Sequence, residues 1–403
     1  MSKKSHLKAT DLRGVSRLAI DATLGLTRLV ETMHHNIART PSPLGQFTQE
    51  PTGGITGMVY RTIQGTTRLI GSGIDALLGQ LVPLLDAPNA SSSNAREAVL
   101  AALNGVLGDH LAASANPLAI SMQLRRDGQP LALTAEGLAA NIPEAGGKIL
   151  LLVHGLCMND LQWRRKDHDH GAALAQAAGF TPLYLHYNSG QHVSSNGHAL
   201  ADILETLLRA WPVPVEQLTL VGHSMGGLVA RSACHYGELA GHAWLKQLRQ
   251  MVFLGTPHHG APLERGGNWV NVILEFSPYT AALARLAKIR SAGITDLRHG
   301  SILDEDWQRG DRFAREKKRG FVPLPPAVRC HAVGATLAKA ADDKAATLLG
   351  DGLVPLRSAL GQSAEESRTL RFPESHTWIG YGMNHLDLLD NQEVSAQLRQ
   401  WLC

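Results

Sequence analysis

The strongest constraint in this chain is seven residues, Val221-Gly222-His223-Ser224-Met225-Gly226-Gly227, lying between an apolar run and a helical pattern. Gln217-Leu218-Thr219-Leu220-Val221 reads as a buried strand, and the apolar spacing over 228–233 reads as a helix. A strand that turns directly into a helix around G-x-S-x-G lifts its serine to the end of a parallel sheet on a tight, strained turn. Gly222 and Gly226 flank the serine because such a turn brings the backbone too close to itself for a side chain. The five-residue pattern alone recurs by chance. The strand before it and the helix after it give it meaning.

Around this centre, strands are predicted over 149–153, 182–187, 218–221, 251–254 and 328–333, with helices over 171–178, 199–208 and after Ser224. Strand alternating with helix implies an α/β fold with a mostly parallel central sheet, helices on both faces and the chemistry at the carboxyl ends of the strands. Alternating residues over 120–124 and 131–133, joined across Asp127-Gly128, predict a β-hairpin at the start of this domain. Over about 261–327 the alternation lapses. Two amphipathic helices, 268–276 and 280–288, a charged stretch over 304–319 and Pro323-Leu324-Pro325-Pro326 suggest an inserted helical cap above the strand ends. Trp269, Ile273 and Phe276 are expected to line an acyl-binding cleft there, although packing of the cap on the core would use the same apolar face.

The segment 1–93 is read as a helical extension, and 94–403 as the catalytic domain. Apolar residues stepping by three and four from Leu12 to Met33 form an amphipathic stripe. A second copy follows 40 residues later, with Gly25-Leu26-Thr27-Arg28-Leu29-Val30 matching Gly65-Thr66-Thr67-Arg68-Leu69-Ile70. Pro83, Pro88 and Ser91-Ser92-Ser93 mark a linker, and Asn94 with Glu97 forms a capping box for a third helix through Leu111. These helices suit a bundle packed on the main domain or on a second copy of the chain. They also suit a basic amphipathic surface seated on lipid or a hydrophobic particle.

Composition narrows the classes further. A net charge of +3 is too small to argue for nucleic acid, and seven of the Lys and Arg residues fall in the first forty positions against Asp11, Asp21 and Glu31. The four cysteines stand far apart and form no C-x-x-C pair, which argues against a zinc site and favours a reducing, cytoplasmic setting. No apolar run is long enough to span a bilayer, and Arg13, Arg17 and Asp21 interrupt what would be a signal-peptide core. No residue pattern calls for a cofactor.

A serine hydroxyl is a poor nucleophile at neutral pH and needs a base within hydrogen-bonding reach, itself oriented by a third group. His385 in Gly382-Met383-Asn384-His385-Leu386-Asp387 is the expected base, following a strand-like stretch over 368–378; His376 is its rival. Asp351, between Gly350 and Gly352, is the expected acid, because the glycines let the loop turn its carboxylate inward; Asp342 and Asp343 are read as a solvated helix surface. Negative charge developing on the former carbonyl oxygen requires backbone N–H donors. Met225, after the serine, and Leu156, in His154-Gly155-Leu156 after the first central strand, are the expected pair, with His154 structural.

With His154-Gly155-Leu156, Gly222-His223-Ser224-Met225-Gly226-Gly227, Gly255-Thr256-Pro257-His258-His259-Gly260, Asp351-Gly352-Leu353-Val354-Pro355 and Asn384-His385-Leu386-Asp387 in this order, the chain resembles the α/β-hydrolase superfamily. Within it the bacterial lipases and the GPI inositol-deacylase-like hydrolases are most similar. The resemblance covers about 148–403 and implies a serine hydrolase of carboxylic esters, with Ser224, Asp351 and His385 as triad and Leu156 and Met225 as oxyanion donors. Some similar lipases hold calcium through an Asp two residues after the histidine, the position of Asp387; a metal-free Asp387 capping a helix is the other reading. An acyltransferase using the same residues, and a non-catalytic adaptor targeted to a membrane or granule, are the alternatives to a hydrolase.

Overall fold

The computed structural model of the protein describes residues 90–261, 291–308, 320–340 and 350–403. The expected repeat in the first 89 residues, the cap helices, Trp269, Ile273, Phe276, Asp342 and Asp343 lie outside the described residues.

Eight strands form one sheet in the order β2-β1-β4-β3-β5-β6-β7-β8. They are β1 Gln123–Arg126, β2 Gln129–Pro130, β3 Lys148–Val153, β4 Thr181–His186, β5 Gln217–His223, β6 Leu248–Leu254, β7 Arg329–Thr336 and β8 Thr377–Tyr381. β1 is antiparallel to β2 and β4, and every pairing from β4 through β8 is parallel. The hairpin turns at Asp127-Gly128 as expected, but its strands are 123–126 and 129–130 instead of 120–124 and 131–133. Arg126 pairs with Gln129, and both turn residues have positive φ, 50° at Asp127 and 73° at Gly128, the conformation that matches the twist of the two strands.

The helices of about two turns or more among the described residues are α1 Ala90–Ala113, α2 Ala135–Asn141, α3 His170–Ala178, α4 Val193–Ala210, α5 Met225–Leu239, α6 Ala292–His299 and α7 Gln392–Leu402. Burial on both faces of the sheet explains why β3 is a continuous apolar run rather than an alternating one. Ile149, Leu151 and Val153 face one cluster with Leu200, Leu204 and Leu228 of α4 and α5. Leu150 and Leu152 face the other, with Leu174 of α3 and Leu398 of α7. Each such side chain, wholly withdrawn from water, contributes about 1.5–3 kcal/mol.

Two local expectations change. The stretch 368–378 is not one strand: single 3-10 turns occupy Glu366–Arg368 and Glu374–His376, and only Thr377–Tyr381 pairs with β7. Pro373 lies between the turns and has no N–H to give to a ladder. The Asn94 cap is not a helix start either, because α1 begins at Ala90 and runs through the serines read as a linker. Glu97 turns instead to Arg125, its Oε2 3.0 Å from the guanidinium Nη1. Among the described residues no helix is long and apolar enough to cross a membrane.

Candidate active site

The parallel strands deliver their carboxyl ends to one edge of the sheet, and four loops there carry the expected residues. Ser224 follows β5 directly and precedes α5, with φ 54° and ψ −123°. A non-glycine residue at positive φ costs about 1–3 kcal/mol and persists only where its surroundings over-determine it. Here they do. A Cβ at Gly222 would stand 2.5 Å from Gly227 N, and one at Gly226 would overlap the Val153 carbonyl oxygen of β3. The Ser224 N–H donates to Leu254 O at 2.8 Å, tying the elbow to the end of β6.

Asp351, in the loop after β7, and His385, in the loop after β8, meet in direct contact. His385 Nδ1 is 2.7 Å from Asp351 Oδ2, and the His385 N–H donates to Asp351 O at 3.2 Å. Positive φ at Gly350 (64°) and Gly352 (93°) folds the loop so that Asp351 Oδ1 accepts from Leu353 N at 2.9 Å and Val354 N at 2.8 Å. Both side chains are buried. Since a carboxylate only accepts, Nδ1 carries the ring proton and Nε2 presents its lone pair. Nε2 is buried and has no hydrogen-bond partner among the described residues.

His223 connects the two halves. Its Nε2–H donates to His385 O at 3.1 Å, and the two ring centroids are 4.6 Å apart. Burial holds the His223 imidazole well below the ordinary histidine range, and the neighbouring His385 pushes in the same direction, so the ring stays neutral. A second set of ties runs from the first residue of α3 and the loop before it. His170 Nε2 donates to Leu388 O at 3.0 Å, and Asp390 takes Arg165 Nε and Lys166 Nζ, each at 3.3 Å.

The oxyanion expectation falls on β3's exit. Met225 is the first residue of α5, so its N–H has no carbonyl one turn back to bond. The Leu156 N–H donates to none of the described residues. Its orientation has a visible cause. The Gly155 carbonyl, in the same peptide unit, accepts from His154 Nδ1 at 2.9 Å and from Met158 N at 3.4 Å, and a planar trans peptide then directs the Leu156 N–H the opposite way. His154 is itself stacked on Tyr187, 4.3 Å between centroids, and burial pushes its pKa down to about 3.

His376, the rival base, sits at the amino end of β8 with Nδ1 3.2 Å from Cys330 O, at the opposite end of the strand from His385. Asp387 is held by protein contacts. One carboxylate oxygen accepts from Asn384 N at 2.8 Å, the other lies 3.9 Å from Lys166 Nζ, and no group of three or more metal-binding side chains gathers among the described residues. Sequence reasoning missed the His223–His385 tether and the ion network of Glu97, Arg125, Asp160 and His186. Their partners lie 26 to 162 positions apart, so no local spacing announces them.

Residues 144–327 match the family described as the PGAP1-like alpha/beta domain. The fold is that of an α/β-hydrolase. Among solved structures the chain is similar to the mature lipase BlEst2 of Bacillus licheniformis, at 17% identity and a TM-score of 0.42 over 70% of this chain and 98% of that one. It is similar also to lipase B of Aspergillus fumigatus, at 12% identity and a TM-score of 0.40 over 70% and 55%, and to the esterase Pf2001 of Pyrococcus furiosus, at 11% and 0.36 over 64% and 81%. No curated protein sequence matches the chain. In this fold the serine, the Asp–His pair and the two candidate donors all lie at the carboxyl edge of the sheet.

Proposed function

We propose that this chain is an α/β-hydrolase that cleaves carboxylic esters through an acyl-enzyme, with Ser224 as nucleophile, His385 as general base and acid, and Asp351 as the group that fixes the histidine tautomer. The observation carrying the reading is the Asp351–His385 contact of 2.7 Å, tied by the bond from His223 Nε2 to His385 O to the elbow that holds Ser224 at positive φ; His385 Nε2 makes no hydrogen bond to Ser224 or to any other of the described residues. Nε2 takes the proton as Ser224 Oγ bonds to the acyl carbon, and the carbonyl oxygen becomes anionic facing the N–H groups of Leu156 and Met225. Collapse breaks the carbon–oxygen bond to the alcohol, which leaves with the proton from Nε2. Water, deprotonated by the same nitrogen, then releases the acid and restores Ser224.

A fluorophosphonate tests the nucleophile: the full chain is expected to become labelled and Ser224→Ala to remain unlabelled. Failure of the folded wild-type chain to label would point to a non-catalytic scaffold. A series of p-nitrophenyl esters of increasing acyl length, run with and without a competing alcohol, identifies the substrate class. Transfer to the alcohol in preference to water would make the protein an acyltransferase.

A further inference from the structure

Helix α1, which lies ahead of the catalytic sheet in the chain, crosses the back of the loop that carries Leu156. A Cβ at Gly105 would overlap Cys157 Sγ and stand 2.9 Å from Cys157 Cα and 3.0 Å from Cys157 N, so the helix backbone lies directly against the residue after Leu156. Cys157 is held there at φ 60°, its N–H donating to Ser189 Oγ at 3.0 Å. A second grip takes the far end of the same loop. Glu97 of α1 binds Arg125 Nη1 at 3.0 Å, and that nitrogen is 3.2 Å from Asp160 Oδ1, which is buried where the loop enters its 3-10 turn. The helix is also fixed from behind, the Gly105 carbonyl accepting from Ser291 Oγ at 2.7 Å.

An oxyanion donor is useful in proportion to how rigidly it is aimed before charge develops, and that rigidity comes from what packs behind it. We propose that α1 is a positioning element of the active site, holding the Leu156 N–H at the oxyanion position through Gly105 against Cys157 and through Glu97 and Arg125 to Asp160. The proposal rests on the ester-hydrolase reading. It makes the helix a working part of the site's scaffold, because its residues brace the donor loop directly at Cys157 and, through Arg125, at Asp160.

The test uses the full chain with Gly105→Ala, Gly105→Val and Glu97→Gln. Leu138→Ala, a wholly buried residue of α2, serves as a variant that is only destabilised. On a soluble short-chain p-nitrophenyl ester, kcat is expected to fall roughly 10-fold in Gly105→Ala, where the donor is only displaced, and roughly 100-fold in Gly105→Val, the lower end of what loss of one oxyanion donor costs, with KM within about twofold. A boronic acid mimic of the tetrahedral intermediate should weaken in parallel, and Glu97→Gln should show a smaller fall of the same kind. Leu138→Ala should lower the thermal midpoint and keep kcat. If Gly105→Val does not fold, Gly105→Ala and Glu97→Gln carry the comparison. An unchanged kcat in those variants, or a loss matching that of Leu138→Ala at equal thermal midpoint, overturns the positioning role while leaving the hydrolase reading intact. A wild-type chain that neither turns over esters nor takes a fluorophosphonate removes both.

Discussion

The elbow at 222–227 and the histidine loop at 382–390 converge on one edge of the sheet, yet different forces hold them there. Exclusion fixes the elbow: Gly226 has no room for a methyl group against Val153 O, and Ser224 occupies a strained φ of 54° because nothing around it can give. Hydrogen bonds fix the histidine loop, from the His385 ring to Asp351, from His223 to the His385 backbone carbonyl and from His170 to the next turn. Steric exclusion is intolerant of volume and indifferent to protonation. Hydrogen bonding has the reverse character, since it survives small changes of shape and fails when a donor becomes an acceptor. One site thus depends on two unlike kinds of order, and each can be broken separately.

The largest effects should separate the two by chemistry. Ser224→Ala is expected to lower kcat by about 10⁶-fold while KM for a short ester stays similar, because the covalent step itself disappears. Asp351→Asn is expected to cost about 10⁴-fold, since an amide beside Nδ1 can donate and so favours the tautomer in which Nε2 carries the proton and cannot accept one. Single-turnover rates measure both. The phosphonate distinguishes them qualitatively, with Ser224→Ala not reacting and Asp351→Asn reacting slowly. Equal activity in Asp351→Asn and wild type would separate Asp351 from the proton relay and leave its 2.7 Å contact structural.

The same contrast governs what could be read in the sequence. Exclusion leaves glycines at fixed offsets, so the elbow was legible from Gly222 and Gly226, and the hairpin from Asp127-Gly128 with their two positive φ values. Asp351 was legible for a related reason, because Gly350 and Gly352 adopt the positive φ that turns the carboxylate inward. Hydrogen-bonded order leaves no such trace. His223 looked like the variable position of a motif, and its tie to His385 spans 162 positions. Glu97 looked like a helix cap, and its partner proved to be an arginine on β1. The boundary errors have local causes. Serines can continue a helix whose next turns bury Val99 and Leu103, and Pro373 interrupts the strand-like stretch over 368–378.

Next in size is a change of volume alone. Gly226→Ala adds one methyl group where the Val153 carbonyl oxygen already stands, so either β3 or the elbow must move. A loss of about 3 kcal/mol is expected, at the upper end for overpacking because the obstructing atom is backbone in a central strand. Urea unfolding measures it. If Gly226→Ala keeps wild-type stability and activity, the claim that exclusion organises the elbow is wrong, whatever the fate of Ser224.

The smallest expected effect concerns protonation, which should disturb the elbow's surroundings only below neutral pH. Burial pushes His154 down to about 3, against an ordinary value of 6.5, while the unfolded chain binds that proton near 6.5. Between these values the unfolded state holds more protons than the folded one. Stability therefore rises with pH in this window and falls on acidification by about 1.4 kcal/mol per unit for such a group, or about 2 kcal/mol on going from neutrality to pH 5. His223, shifted in the same direction, adds to the slope without replacing it. His154→Gln should be less stable than wild type at pH 7, having lost the ring's bond to Gly155 O, but its stability should decline less steeply between pH 6 and pH 4. Parallel curves for the two proteins would mean that His154 titrates alike folded and unfolded. In that case the Gly155 carbonyl, and with it the Leu156 N–H on the other side of the same peptide plane, must be held by something other than a neutral imidazole.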